Sequence, residues 1–202
     1  MRLISKKPEK ANKHVLTARF EEALLFATRL HAEQTRKGSD IPYISHLMSV
    51  AGLTLEYGGG ENEAIAALLH DAVEDQGGEA TRIEISKRFG PAIAEIVEGC
   101  TDADTFPKPP WFPRKEAFMA SLRRAPESVR LVVACDKLHN ARAMVKDYRV
   151  CGEALWGRFS GGREGTLWYY RKMVDVLRSP GTTQVIKELD RVVTELETLA
   201  SG

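Results

Sequence analysis

The chain has 202 residues, of which 43% are hydrophobic and 28% are charged, as is typical of one globular domain rather than a disordered chain. Its formal net charge of +1 argues against a general binder of nucleic acids or membrane surfaces. The three cysteines form no C-x-x-C pair, and the N-terminal segment has no signal-peptide apolar core. We therefore expect a cytoplasmic protein with reduced thiols.

Apolar residues at helical spacing predict three helices in the first part of the chain. In TARFEEALLFATRLHAEQT, Phe20, Leu24 and His31 fall on one stripe, so His31 belongs either to the core or to a cleft. Ser45 is expected to cap a second helix, SHLMSVAGLTLEY, which three glycines end. A third helix is expected over residues 61–75, before a Gly-Gly pair.

Helices are also predicted for most of the remaining chain. TRIEISKRFG is a short helix, and Pro91 suits the first turn of the next one. Four prolines in TDADTFPKPPWFPRKE are expected to prevent regular structure through the middle of that stretch. A strong helix follows in ESVRLVVACDKLHNARAMVKD, and two more are expected at about 165–178 and 182–199. Because no clean strand alternation appears, the predicted fold class is all-α.

The third predicted helix begins apolar and ends in ionisable residues. His70 and Glu74 are four residues apart and should share one helix face, and Asp71 and Asp75 repeat that spacing. An apolar run has no evident reason to end in three carboxylates and an imidazole unless a cation compensates them.

A second polar pair follows an apolar run later in the chain. Asp136 comes directly after LVVAC and is expected to be buried, with Asn140 one turn further on. His139 is expected to point about 100° away from Asp136, so it is not assigned to the same metal. His46 lies near the start of the second helix. Two imidazoles and two carboxylates from three helices would suit an octahedral divalent-metal site with positions left for water.

Several motifs, in order, resemble the HD-domain hydrolases. They are RKGSDIPYISH, LLHDAVED, FGPAIAEIVEGCTD and CDKLHNARA, within roughly residues 20–147. Among these enzymes the chain is most similar to the hydrolase domain of the RelA/SpoT family, especially the stand-alone small alarmone hydrolases. The resemblance implies an all-α HD-domain bundle with one metal, usually Mn²⁺, between its helices. The implied ligands are His46, His70, Asp71 and Asp136.

The resemblance also implies an activity and assigns residues to it. The activity is removal of the 3′-pyrophosphate from guanosine tetra- or pentaphosphate, giving GDP or GTP. Glu74 and Asp75 match a Glu-Asp pair that positions or activates the nucleophilic water. Arg36 and Lys37 resemble an Arg-Lys pair beside the nucleoside, and Asn140 matches a position near the ribose or the metal.

The basic residues of the proline-rich stretch are further candidates for binding the phosphate groups of a substrate. Lys108, Arg114 and Lys115 are expected to reach a flexible pyrophosphate, although basic residues on loops are more often solvated. The chain departs from the family at Leu47, where proline is common, and at Gln76, where threonine is usual. These departures and the extra prolines at 103–114 leave the implied metal site intact and put the substrate in question.

The sequence leaves three functions open. The leading one is the alarmone hydrolase. The second is a phosphohydrolase of an adenosine analogue or of the 2′-phosphate of NADPH, and the third is an inactive nucleotide-binding module. We expect an N-terminal extension at 1–16, an HD core at 17–150 and C-terminal helices at 151–202 packed on it in one domain, without a synthetase part. A homodimer, other divalent ions and a functional pairing with an alarmone synthetase stay open.

Overall fold

The computed structural model describes residues 15–103, 107–179, 181 and 183–202. Most of the predicted N-terminal extension, and residues 104–106 of the proline-rich stretch, therefore lie outside the described residues. The described part is helical, with one isolated antiparallel bridge between Thr35 and Pro42. The predicted all-α class is confirmed. Among the described helices, none has the length and apolar character needed to cross a membrane.

Six α-helices occupy the first half of the described chain: α1 Ala18–Leu30, α2 Ile44–Glu56, α3 Glu61–Leu69, α4 Ala72–Asp75, α5 Glu79–Phe89 and α6 Pro91–Cys100. The second half contains α7 Trp111–Leu122, α8 Glu127–Cys151, a 3-10 helix Gly152–Arg158, α9 Gly162–Arg178 and α10 Gln184–Ser201.

The helix predicted over residues 61–75 is interrupted at the His-Asp pair. α3 ends at Leu69 and α4 begins at Ala72, so His70 and Asp71 lie in the turn between them. His70 Nδ1 lies 2.8 Å from the Ala67 carbonyl oxygen, which the Asp71 amide would use in an unbroken helix. The predicted continuous helix is therefore wrong at this point, although both residues keep right-handed helical backbone angles and the Asp75 amide still donates to the Asp71 carbonyl oxygen at 3.0 Å.

Two other local predictions were wrong for simple reasons. α2 begins at Ile44 after Tyr43 and has no side-chain cap, so Ser45 does not cap it. α7 begins at Trp111 and contains Pro113 as its third residue. The first turn of a helix tolerates proline, because its amide groups have no intrahelical carbonyl partner there.

The long helix α8 is the centre of the bundle. It packs against α2, α3 and α6 on one side and against α10 on another, while α9 contacts α7, α8 and α10. α3 is buried from Ala64 to Leu69, and Leu138 of α8 is fully buried. The polar residues at the end of α3 and in the middle of α8 are therefore brought together inside the bundle.

Candidate metal centre and active site

Four predicted ligand atoms form a ring between the helices. His46 of α2 places its Nε2 3.2 Å from Asp136 Oδ1 and 3.5 Å from Asp71 Oδ2. His70 Nε2 lies 3.0 Å from Asp71 Oδ2 and 3.6 Å from Asp136 Oδ1. Nitrogen and oxygen donors therefore alternate around one point, supplied by α2, the α3–α4 turn and α8.

The donors fit a divalent cation. The Nε2 atoms of His46 and His70 are buried and have no hydrogen-bond partner among the described residues, although buried polar atoms are normally satisfied. The ligand atoms of His46, His70 and Asp136 all lie within 4.8 Å of one another. Two ligands about 2.1 Å from one ion, at right angles, would be about 3 Å apart. Imidazole nitrogens and carboxylate oxygens suit several divalent ions.

Burial and opposite charges dominate the electrostatics of this ring. Burial opposes the charge on His70, but Asp71 and Asp136 raise its pKa well above the usual range. Burial likewise opposes ionisation of both carboxyl groups. The pKa of Asp71 is nevertheless held low mainly by His70, and that of Asp136 by Lys137, whose Nζ lies 2.7 Å from Asp136 Oδ2. The two carboxylates are thus kept charged and ready to hold a cation.

Tyr43 holds Asp71 through the same carboxylate oxygen that faces the two histidines, and its ring lies edge-on to that of His46, with centroids 5.4 Å apart. Its hydroxyl donates to Asp71 Oδ2 at 2.6 Å, and its ring stacks on that of buried His31, with centroids 5.4 Å apart. Burial, followed by the Asp71 charge, raises the Tyr43 pKa, so the hydroxyl keeps its proton. Tyr43 was not among the predicted site residues, although it is the first residue of the YISH motif that contains His46.

His139 contacts His46, one of the predicted ligands, and so lies closer to the ring than the predicted helical angle implied. The two Nδ1 atoms are 2.8 Å apart. Three residues along an α-helix turn through about 300°, which leaves His139 only about 60° from Asp136. The predicted 100° was therefore wrong, and the i, i+3 spacing would have placed both residues on one face. Burial, followed by His46, lowers the His139 pKa to about 4.

We expect the His139→Leu variant to bind metal about 10- to 100-fold more weakly, the range found when the outer partner of a ligating histidine is removed. The reason is that His46 must carry its proton on Nδ1 for Nε2 to bind a metal, and His139 Nδ1 accepts that proton's hydrogen bond. Titration of metal-free protein with Mn²⁺ measures the dissociation constant. His139→Gln, which keeps an acceptor, should retain more affinity; equal affinity in all three proteins would contradict this role.

The two acids of α4 have different partners. Glu74 Oε1 accepts from Lys108 Nζ at 2.6 Å, whereas Asp75 Oδ2 accepts from the neutral amide of Gln34 at 2.9 Å. Burial and the nearby Asp102 raise the pKa of Glu74, and burial and Asp71 raise that of Asp75. A raised carboxyl pKa favours acceptance of a proton near neutral pH.

A cavity of about 860 Å³ opens beside the ring. The predicted site residues that line it are Arg36, Lys37, Asp71, Glu74, Asp75, Lys115, Asp136 and Asn140. Arg36 Nη2 donates to Asn140 Oδ1 at 2.7 Å, and Asn140 Nδ2 donates to Asp136 Oδ1 at 2.5 Å. Lys37 Nζ lies over the Phe159 ring, 6.0 Å from its centroid. The predicted nucleoside residues thus form one wall that reaches the metal ligands.

The basic residues of the proline-rich stretch are paired with acids. Arg114 donates to Asp102 Oδ1 at 2.5 Å, and Lys115 bonds to Asp102 Oδ2, while Lys108 is bonded to Glu74. Although burial opposes ionisation of Asp102, Lys115 and then Arg114 lower its pKa. Each of these cations thus has a carboxylate partner, a pairing that the sequence did not predict. Their role toward phosphate stays a prediction.

An all-helical bundle with two histidines and two aspartates around one point defines the HD-domain class. The sequence profile described as an HD domain matches residues 23–166, so the chain belongs to this family. The predicted resemblance is thereby confirmed.

Within this family, the chain is similar to proteins named as ppGpp hydrolases. Guanosine-3′,5′-bis(diphosphate) 3′-pyrophosphohydrolase MESH1 of Xenopus tropicalis is 38% identical over 138 residues, which are 67% of this chain and 72% of that protein. The MESH1 protein of Homo sapiens is 36% identical over 62% of this chain and 69% of its own length. The solved structure of a metazoan SpoT orthologue, described as hydrolysing ppGpp, matches with a TM-score of 0.73 and 29% identity, covering 88% of this chain and 95% of that one.

Proposed function

We propose that this chain is a metal-dependent guanosine-3′,5′-bis(diphosphate) 3′-pyrophosphohydrolase. The observation that carries the proposal is the ring of His46, His70, Asp71 and Asp136 beside a cavity that also presents acids and cations. The identity of the substrate is inferred from the similarity to the MESH1 proteins. A nucleotide with two pyrophosphate groups needs both a divalent ion and fixed positive charges, and this cavity offers residues for each.

We propose Mn²⁺ as the ion, with one per chain, held by His46, His70, Asp71 and Asp136. Such an ion supplies Lewis acidity to phosphoryl oxygens and makes a water more acidic. The mixed nitrogen and oxygen donors also suit other divalent ions, so direct metal analysis of the purified protein decides the native one.

The reaction adds one water across the bond between the ribose 3′-oxygen and phosphorus. The water oxygen bonds to phosphorus, the 3′-oxygen leaves with a proton, and pyrophosphate is released. Glu74 and Asp75, one short turn beyond Asp71, are proposed to position the water and accept its proton. Arg36, Lys37 and Asn140 are proposed to bind the nucleoside side of the substrate.

Lys108, Arg114 and Lys115 are proposed to bind the phosphate groups, exchanging carboxylate partners for phosphate oxygens when substrate enters. Lys115 lines the cavity, and Lys108 and Arg114 contact the cavity acids Glu74 and Asp102. Charge-assisted hydrogen bonds to either kind of oxyanion have similar geometry, so the exchange needs little rearrangement.

A hydrolysis assay of metal-loaded protein on a panel of nucleotides tests the proposal. The panel contains guanosine tetraphosphate, its adenosine analogue, NADPH and GTP, and products are separated by ion-exchange chromatography. We expect GDP and pyrophosphate from the first compound at the highest kcat/KM. A preference for the adenosine analogue or for NADPH would identify that compound as the substrate instead. No turnover of any compound would favour a nucleotide-binding module without activity.

We expect Arg36→Ala to raise KM about 10-fold without changing the metal content. Arg36 donates to Asn140 at 2.7 Å, and Asn140 in turn donates to the proposed ligand Asp136. Loss of Arg36 therefore opens the nucleoside wall but does not alter the ring of ligands. KM and bound metal are measured on the same preparation. Arg36→Lys should recover little, because lysine lacks the planar fork of donors. Unaltered kinetics for Arg36→Ala would make it a structural residue.

Three broader assignments are also proposals. We propose that the C-terminal helices and the HD core form one domain, since α10 packs along α8. We propose the cytoplasm as the location, since Cys100, Cys135 and Cys151 are free thiols, as is usual in a reducing compartment. A homodimer and a functional partnership with an alarmone synthetase stay predictions, testable by light scattering and by co-expression.

A further inference from the structure

A hydrogen-bonded cluster of polar side chains lies beside Asp75. Gln34, in the loop after α1, donates from Nε2 to Asp75 Oδ2 at 2.9 Å. Gln34 Oε1 lies 2.7 Å from Gln76 Nε2 and 2.6 Å from His31 Nδ1. His31 is 3% exposed, so this cluster joins the interior to the cavity wall. None of these three residues has a part in the reaction described above.

The cluster allows only one orientation of the Gln34 amide. Its oxygen meets the Gln76 amide, which donates, and the His31 Nδ1, which donates in the tautomer with its proton there. Turning the amide over would place its NH₂ group against the Gln76 donor and its oxygen against the Asp75 carboxylate. Both contacts would then be repulsive, and the three hydrogen bonds that hold the Gln34 amide would be lost.

We infer that Gln34 is a positioning residue that fixes the Asp75 carboxylate for its work on the water. The inference rests on the proposed function of Asp75. By holding Oδ2, Gln34 leaves Oδ1 of Asp75 available, with its nearest cation, Lys108 Nζ, 3.9 Å away. The amide orients the carboxylate through one hydrogen bond, which lowers the pKa of Asp75, while burial and the Asp71 charge still keep that pKa raised.

Gln76 gives this cluster a form particular to this chain. It occupies the position after VED at which the family usually has threonine, and a threonine side chain is too short to reproduce an amide donor at that distance. Gln76 therefore secures Gln34, which in turn secures Asp75. The residue that departs from the family pattern thus supports the proposed catalytic base Asp75 through a single intermediate residue, Gln34.

Removal of the Gln34 donor is expected to lower kcat about 10- to 100-fold while KM and metal content stay within about twofold, since a misplaced catalytic group costs rate rather than binding. Two variants are made: Gln34→Leu removes the amide, and Gln34→Glu keeps its shape but replaces the donor. Gln76→Thr should give a smaller fall in the same direction. Gln184→Leu, an exposed glutamine at the start of α10, is the matched control and should behave as wild type.

A double-mutant cycle separates positioning from a general structural effect. In an Asp75→Asn background, Gln34→Leu is expected to change kcat by less than about twofold, because Gln34 then has no catalytic base to position. Wild-type kcat in both Gln34 variants, or an undiminished fall in the Asp75→Asn background, would overturn the inference and leave the proposed function standing. Wild-type kcat in Asp75→Asn itself would overturn the proposed role of Asp75 and this inference with it. Helical circular dichroism and bound metal are recorded for every variant.

Discussion

The Asp136→Ala variant is expected to lose both bound metal and turnover, whereas the wild-type protein, loaded with Mn²⁺, should hold about one divalent ion per chain. Asp136 supplies the oxygen that lies 3.2 Å from His46 Nε2 and 3.6 Å from His70 Nε2, so its loss opens the ring on one side. It also leaves Lys137 without the carboxylate 2.7 Å from its Nζ, next to the place where a cation would bind. We expect metal affinity to fall by more than about 100-fold, beyond the effect of losing an outer partner.

The measurement is metal per chain by elemental mass spectrometry, followed by titration of the metal-free protein. Asp175→Ala, which removes an exposed carboxylate on α9, is the matched control and should keep full occupancy. Asp136 is the most informative ligand, because it is the most distant in sequence from the other three. A wild-type protein that stays empty after Mn²⁺ loading would remove the basis of the proposed chemistry.

The Glu74→Gln and Asp75→Asn variants are each expected to keep the metal and lose about 10²- to 10⁴-fold in kcat, the range for removal of a general base. Each substitution keeps the shape of the side chain and removes its ability to accept a proton. Neither carboxylate is in the ring, since Glu74 is bonded to Lys108 and Asp75 to Gln34. A ligand must touch the ion, whereas a base must lie about a water's width from it.

Asp71→Asn gives the contrasting result, because Asp71 Oδ2 lies in the ring, 3.0 Å from His70 Nε2. This variant should lose metal and activity together. Metal stoichiometry and kcat are therefore measured on the same preparations of all three variants, with folding followed by circular dichroism. If Glu74→Gln and Asp75→Asn both turn over substrate at the wild-type rate, α4 is only a solvated helix end, and the metal site stands without its proposed catalytic pair.

The sequence predicted most helices because apolar periodicity is a local property. Pro91 begins α6 as expected, and α8 to α10 correspond to the three final helical patterns. The local errors arose where a side chain interrupted a helix, or where the end of a helix tolerated a residue that its interior would not. The His70 imidazole interrupts a helix whose composition is continuous, and Pro113 fits in a first turn where the general rule against helical proline does not apply.

The candidate ligands could be named from the sequence because they lie in short motifs that resemble the HD-domain hydrolases. The partners of the other polar residues could not. His139 was misplaced by a wrong helical angle, and the ion pairs of Lys108, Arg114 and Lys115 were not predicted. Asp102, which two of these cations share, carries no local signal of burial, since its neighbours are Thr101 and Ala103.

By itself, then, the sequence determined the helical class, the HD family and the residue types that can hold a divalent ion. These features depend on spacing and composition within segments of a few turns. Tertiary structure alone decided that Gln34 reaches Asp75, 41 residues away, and that Arg36 reaches Asn140, 104 residues away. Such contacts depend on how α2, α3 and α8 pack, because a change of a few ångströms between helices forms or breaks a hydrogen bond while leaving the local pattern unchanged.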